Sequence, residues 1–412
     1  MNNRPRIDSG RIFQGQNRNQ LGVCLAFAIQ VRNISKIRSI FGHELASEVS
    51  SSLEKSLEKI CAEDDFDGSI IVRDIGVFDL FIGQYGFDLA QNSAAEAVYK
   101  RLDRWCRDAS LKIYEGGSGQ FLLAVVIRQA QPIDGIKSTQ SGLDCAHATL
   151  RLNSYQLFEV SLDDKAYVTE MLLAVDWVKD LKAGRLSFAW TPIRNLQDVD
   201  TIAHFHGHLC AMSSTGAVIG PERRLAAIRH LGLGSTVDLT VLSMALDIAC
   251  RSPGPPLLIE MFASTLRLSF WQVSLLLSSI ATFGRDRIRL QIIPDLEEYD
   301  EEVASSMMEL HHHGVGLGVE ICHSNALYRN MMLFTQPQFI AISPIFMRAV
   351  LARPWNMEAI STIYAIAQLI APMVVLQGID TVLLATNARR AGIIWGEGNY
   401  LGLPSWLTPR QH

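Results

Sequence analysis

From Leu21 the chain opens on LGVCLAFAIQV, a mostly apolar run of strand length. A helical pattern follows through Ile34, Ile37, Phe41, Leu45, Val49 and Leu53, at spacings of three and four. SIIVRDIGVFDLFIG (69–83) holds two strand-like runs about Asp74 to Gly76 and predicts a hairpin. A helix over about 90–109, a strand at FLLAVVIR (121–128), a helix over about 141–152 and a last strand at YQLFEV (155–160) complete the pattern. That order predicts an α+β domain with one layer of helices on a sheet. EGGSGQ (115–120) is glycine-rich, but it precedes a strand and no GK[ST] follows, so it reads as a turn and not as a phosphate cradle.

Residues 163–183 predict a connecting helix with Leu172, Val175, Val178 and Leu181 on one stripe. Apolar strands then alternate with helices through LSFAWTPI, LLIEMF, RIRLQII, GVGLGVEI, FIAIS, MVVLQGI and GIIWGEG. Repeated βα units over about 220 residues predict a (β/α)-barrel. No polar linker separates the halves, so the helix itself is the expected joint. Two apolar stretches raise the question of a membrane span. Glu260 and Arg267 interrupt residues 257–283, and Pro372 splits the uncharged run 359–376 into a helix-like half and the β-rich MVVL. The expectation is a buried helix feeding a buried strand, with no membrane span.

The 412 residues are 48% hydrophobic and 19% charged, which places the chain among globular proteins of two or three domains. A net charge of −5 supplies no general pull toward nucleic acid or anionic lipid. Seven dispersed cysteines without a CxxC pair fit reduced thiols in the cytoplasm. The polar, basic N-terminus has no apolar h-region, so residues 1–19 are expected to form a flexible arm and not a signal peptide.

Five segments in the second half, WTPIR (190–194), GVGLGVEICHSNAL (314–327), FIAISPIFM (339–347), VVLQGIDT (374–381) and GEGNYLGLP (396–404), occur in the order and spacing of known landmarks. Through them residues 185–407 resemble the EAL-domain family of cyclic di-GMP phosphodiesterases, which implies a (β/α)8 barrel. The resemblance places the signature glutamate on Phe205 and the phosphate-gripping arginine on Leu209. The asparagine of the next strand falls near Met261, beside Glu260. The next metal-binding glutamate falls on Gln291, and the paired aspartates fall on Glu320 and Ile321. The lysine and aspartate of the following landmark become Ala341 and Ser343. The glutamate after that becomes Gln377, with Asp380 downstream still acidic, and Glu397 starts the last landmark. Phosphodiester hydrolysis by this family requires divalent ions in a cage of oxygen ligands. With Glu320 the one clear survivor, and with Phe205 and Ile321 expected to make the pocket apolar, the resemblance implies a vestigial barrel pocket with no catalytic residue, no metal and no cofactor.

Residues 20–160 resemble, more loosely, a GGDEF domain, the nucleotide cyclase palm of diguanylate cyclases. The matching segments are IRSIFGHEL (37–45), RDIGVFDLFI (73–82) and SGLDCAHATLRLNSYQLFEV (141–160). The signature then reads Ile75-Gly76-Val77-Phe78-Asp79, with Val77 and Phe78 at the two acid positions, and the upstream metal aspartate falls on Gln30. The text near Phe66 to Ser69 holds no RxxD inhibition site. The expected organisation is an arm (1–19), a degenerate GGDEF-like domain (20–162), a connecting helix (163–184) and a degenerate EAL-like barrel (185–412).

His204, His206 and His208 share one face of a strand, and HxHxH is a recognised zinc-ligand spacing. If Phe205 faces the pocket, however, all three histidines point away from the barrel interior. His311–His313 precede a strand and lie at the opposite, N-terminal end of the barrel. Glu320, His323, Gln377 and Glu397 sit at the C-terminal strand ends, where a remodelled pocket for another small molecule would form. The expectation is a catalytically inactive GGDEF–EAL pseudo-enzyme of bacterial signalling that acts through a protein partner. Pairing of barrels as a homodimer is implied by the resemblance alone. A non-hydrolysing cyclic di-GMP receptor is the alternative, although Leu209, Ala341 and Ser343 would leave phosphate charge unpaired. New chemistry in the altered pocket is the third reading.

Overall fold

The computed structural model describes residues 22–63, 67–84, 92–117, 119–136, 162–212, 218–219, 222–251, 254–266, 280, 287–293, 301–321, 337–351 and 356–406. The chain divides into two compact units. One comprises Met1–Val175 with His230–Leu233 and Ser269–Trp271; the other comprises Asp176–Arg229, Gly234–Leu268 and Gln272–His412. The helix expected over 141–152, the strand at 155–160, the arm and His323 lie outside the described residues.

The first unit runs β1 (Gly22–Val31), α1 (Ile34–Phe41), α2 (His43–Glu63), β2 (Asp67–Asp74), β3 (Val77–Gln84), α3 (Asn92–Ser110), β4 (Tyr114–Gly116), β5 (Gly119–Phe121), β6 (Val125–Ile136) and the start of α4 (Asp164–Lys182). Its four-stranded sheet has the order β2-β3-β1-β6, antiparallel throughout. Leu25 to Ile29 are buried in succession, so both faces of this central strand are covered. The predicted hairpin forms, and Gly76 closes it at φ +72°, where an added Cβ would stand 3.1 Å from Val31 Cβ. The helical pattern from Ile34 breaks in two at Gly42, φ +98°. EGGSGQ spans the β4–β5 hairpin, in which Glu115 stands opposite Gln120 and Gly116 opposite Gly119.

Two details depart from the sequence pattern, each for a physical reason. The strand expected at 121–128 enters the ladder only at Val125, because Asn33 engages the preceding backbone. Its Nδ2 donates to Leu122 O (3.0 Å) and its Oδ1 accepts from Ala124 N (2.9 Å). In α4 Val175 and Val178 of the expected stripe are buried, together with Tyr167, Met171 and Ala174, whereas Leu172 is 49% exposed. Residues spaced by three drift about 60° per step around a helix of 3.6 residues per turn, while alternating steps of four and three stay on one face.

The second unit runs β7 (Leu186–Asn195), β8 (Ile202–Met212), β9 (Val218–Ile219), α5 (Glu222–His230), α6 (Gly234–Arg251), β10 (Leu257–Phe262), β11 (Ile288–Ile293), α7 (Glu301–His312), β12 (Gly316–Ile321), β13 (Phe339–Ile342), α8 (Pro344–Leu351), α9 (Asn356–Ile370), β14 (Met373–Leu376), α10 (Val382–Arg390) and β15 (Trp395–Gly396). Strands β10 to β15, β7 and β8 neighbour one another in that order, and β10 also pairs with β8, which closes an eight-stranded barrel. β7 is antiparallel to both its neighbours; the other barrel pairings are parallel. Its floor is a cluster of Ile193, Leu258, Phe339 and Val375. Gly318, opposite Phe339, leaves the space the ring fills, since a Cβ there would fall 2.1 Å from Phe339 Cζ. The uncharged run at 359–376 is α9, a break at Pro372, and buried β14. Among the described residues no helix is long and apolar enough to cross a membrane.

Asn33 is fully buried and also donates to Tyr167 Oη at 3.2 Å. Replacing it with alanine leaves the Leu122 carbonyl and the Ala124 N–H without partners. Asn33→Ala should therefore cost about 2–4 kcal/mol, read as a lowered urea midpoint; an unchanged midpoint would show that water takes over both groups.

Candidate functional site

Parallel strands point their C-terminal ends at one mouth of the barrel, and the inward residues there come from every second position. The expected inward residues Gln291, Glu320, Gln377 and Glu397 do converge, all buried. Gln291 Nε2 lies 3.4 Å from Glu320 Oε2, and Gln377 Nε2 lies 3.5 Å from Gln291 Oε1 and 3.4 Å from Glu397 Oε2. Ala341 faces the same interior between Glu320 and Val375, its neighbours across the ladder. Ser343 is consumed structurally: its Oγ accepts from Phe346 N at 3.2 Å and caps α8, where Pro344 takes the first helical position. Asp380 is exposed and accepts from Asn399 N at 2.9 Å.

Strand β8 overturns the sequence-based expectation. Phe205 does not face the pocket; His206 does. His206 is 1% exposed, and its Nδ1 stands 2.9 Å from Glu397 Oε2 and 3.1 Å from Oε1. His208 Nε2 lies 3.0 Å from Glu397 Oε1. The two rings are 4.1 Å apart. The cause is a bulge in the β7–β8 hairpin: Ile193 pairs with His204 but Arg194 pairs with Ile202, so β8 carries one extra residue. Counting without a gap from WTPIR therefore lands one residue early, and in a strand that error exchanges the two faces. His204, His206 and His208 point inward, while Phe205, Gly207 and Leu209 take the opposite face. Gly207 is required there, because an added Cβ would stand 2.6 Å from the Trp190 ring. Leu209, expected in the pocket, is buried on the outer face of the strand, and Cys210 next to it is buried too.

The neighbouring strand resolves in the same way. Glu260 Oε1 lies 3.1 Å from His206 Nε2, whereas Met261 is buried on the other face. Asp238 of α6 secures the end of this strand by accepting from Phe262 N at 2.8 Å and from Thr265 Oγ1. Ile321, next to Glu320 on β12, likewise faces away from the barrel interior by strand alternation, and is buried. The pocket is accordingly polar and not apolar, lined by His206, His208, Glu260, Gln291, Glu320, Gln377 and Glu397.

Its charges are strongly coupled. Burial pushes the His206 imidazole down, but the Glu397 and Glu260 carboxylates overcome this and raise it to about 10. Burial opposes ionisation of Glu397, yet the two histidines hold its carboxyl well below the usual range. Glu260 is lowered as well, against its own burial, by His206 first and His208 second. His204, one layer deeper beside Phe339, is pushed down to about 4 by burial and by the Arg289 charge, so it stays neutral. Glu397 itself is fixed by a backbone clamp. Its N donates to Leu376 O, its O accepts from Ile379 N, and Gly398 (φ +150°) packs so closely that a Cβ would fall 2.3 Å from Ile379 N.

The sheet and barrel order can now be set against known proteins. The EAL domain family matches residues 174–404, which is more than half of the chain. The chain belongs to the EAL domain family. No curated protein matches it. Among solved structures, the EAL enzyme Bd1971 in its cAMP- and cyclic-di-GMP-bound form aligns over 96% of this chain and 95% of its own, at 11% identity and TM-score 0.51. The EAL domain of FimX from Xanthomonas citri in complex with c-diGMP covers 60% of this chain and 99% of its own, at 14% identity and TM-score 0.50. The phosphodiesterase PaMucR in a c-di-GMP complex covers 58% and 98%, at 16% identity and TM-score 0.50. At these identities the likeness is one of fold.

In the EAL barrel of this protein, a buried carboxylate holds two imidazoles. Removing its charge leaves the His206 cation inside the barrel with Glu260 alone. Glu397→Gln should therefore lower stability by about 3 kcal/mol, measured by thermal or urea unfolding. A variant as stable as the parent would show that the ion pair contributes nothing net.

Proposed function

We propose that this protein is a regulatory member of the EAL family that does not hydrolyse cyclic di-GMP and acts through contacts with another protein. The EAL domain is of the cyclic di-GMP signalling type, and the observation that carries the reading is the donor set at the barrel mouth. The bulge turns His206 toward the barrel mouth; in this reading it is the counterpart of the signature glutamate, with amides at Gln291 and Gln377 and with Ala341 and Ser343 following. Magnesium and manganese are held by carboxylate, carbonyl and water oxygens, whereas imidazole suits softer cations. The carboxylate best placed to compensate, Glu397, is already engaged by both imidazoles. A hydrolytic magnesium pair does not fit these residues, and no catalytic step is assigned to them.

The same reading extends to residues 20–162 as a GGDEF-derived domain, joined to a barrel at 185–412 by the helix at 163–184. Val77 (8% exposed) and Phe78 (fully buried) are core residues of β3, and Gln30 is buried opposite Val77. Asp79 is paired with Arg73 of β2. Ile75 and Gly76 form the tight turn. At the described positions Gln30 and Ile75 to Phe78 no carboxylate pair stands for metal-bound triphosphate chemistry. A cytoplasmic protein with a protein partner, self-associating through the barrel as a homodimer, is the form this reading takes.

Incubating the pure protein with cyclic di-GMP and magnesium or manganese should leave the dinucleotide intact by chromatography, and incubation with GTP should yield none. Multiple turnovers in either assay would overturn the reading. Calorimetric binding of cyclic di-GMP without cleavage would replace the protein-contact reading with that of a receptor.

A further inference from the structure

We propose that His206, His208 and Glu260 form a site for a single borderline transition cation of the zinc class. The three side chains each offer a ligand atom, and these atoms all lie within 4.8 Å of one another. They come from adjacent strands whose pairing is fixed: Leu257 stands beside Phe205, Leu258 beside His206 and Ile259 beside Gly207. Continuing that register by one step puts Glu260 beside His208, with His206 one inward position deeper on the same face. Strand alternation and the β7–β8 bulge thus deliver two imidazoles and a carboxylate to one spot on two rigid elements.

A second observation points to a ligand. His206 is 99% buried, its Nε2 is without a hydrogen bond of good geometry, and Glu260 Oε1 stands 3.1 Å from it; a cation binds there by displacing the proton that this nitrogen otherwise carries. Ligand atoms bound tetrahedrally at about 2.0–2.1 Å from zinc are separated by about 3.3 Å, so this pair already has the spacing of two donors on one cation. The other ring nitrogen is committed: Nδ1 faces Glu397 at 2.9 Å. A ligating imidazole almost always gives its second nitrogen to a carboxylate, which fixes its tautomer and ring orientation. Glu397 fills that role for His206 and also holds His208.

Access and selectivity follow from the same residues. The side chains of His208 and Glu260 are 31% and 32% exposed, so a hydrated ion can reach them from the mouth of the barrel. Three protein ligands leave a fourth position for water or for an oxygen of an incoming molecule. Two imidazoles select zinc, cobalt or nickel over magnesium. The site stands whether or not the barrel hydrolyses cyclic di-GMP, because its tests read metal coordination and not turnover.

The full-length protein, stripped with a chelator, should take up one equivalent of cobalt(II) and develop the visible absorption of a four-coordinate centre, which zinc then bleaches. His208→Ala and the near-isosteric Glu260→Gln should each weaken zinc binding at least about tenfold by competition with a chromophoric chelator. His208→Cys should restore it. A triple alanine variant at His311, His312 and His313, exposed residues away from the mouth, should bind as the parent does. Absence of stoichiometric cobalt or zinc binding would overturn the proposal. So would binding that Glu260→Gln leaves intact, binding lost in the His311–His313 variant, or displacement of zinc by millimolar magnesium.

Discussion

Glu397 sits inside a barrel, where an ionised carboxylate is stable only if opposite charge and hydrogen-bond donors meet it. Two imidazoles do so, His206 at 2.9 Å and His208 at 3.0 Å, and the arrangement of the mouth depends on this contact. It ties the last barrel strand to β8, two strands away around the wall. It keeps His206 charged against the cost of burial, and His206 in turn holds Glu260. The clamp between Ile379 and residues 397–398 exists at the backbone level and gives the carboxylate little freedom to move elsewhere.

The chemical character of the mouth follows from that contact. An oxygen cage for hard divalent ions requires carboxylates free to face the ion. Here the central carboxylate faces nitrogen, and its neighbours Gln291 and Gln377 carry no charge. The result is not an emptied, greasy pocket. It is a polar network in which each charged group has a partner, built on the frame that a dinucleotide phosphodiesterase uses. Function resides in sites carried by a fold, and the donor chemistry of this site is set by its own residues and not by the barrel alone.

Much of this was legible from residue order. Gln291 and Glu320 lie within recognisable apolar strands and Gln377 and Glu397 directly follow two others, so alternation alone places them inward. The β2–β3 hairpin and the turn in EGGSGQ were equally plain, because glycine marks both. Strand β8 was not legible. Its text, IAHFHGHLCAM, has no clean apolar alternation to fix the register, and the one-residue bulge near Ala203 leaves no signature in composition. The one available signal was Gly207: a residue without a side chain between two histidines marks the face that meets Trp190, and hence the histidines as the other face. The stripe assigned to α4 held at its centre, Val175 and Val178, and missed at Leu172 for a simpler reason, since steps of three alone walk around the helix.

What the sequence by itself determined is the set of elements: local periodicity, turn glycines and caps such as Ser343-Pro344 act within a few residues of themselves. Tertiary structure decided which side chains meet. His206 and Glu397 are 191 positions apart, and their contact depends on a hairpin bulge, on strand register and on closure of the barrel. Each is set by the summed packing of many residues, and a register error of one residue at any of them would have put phenylalanine where the imidazole stands.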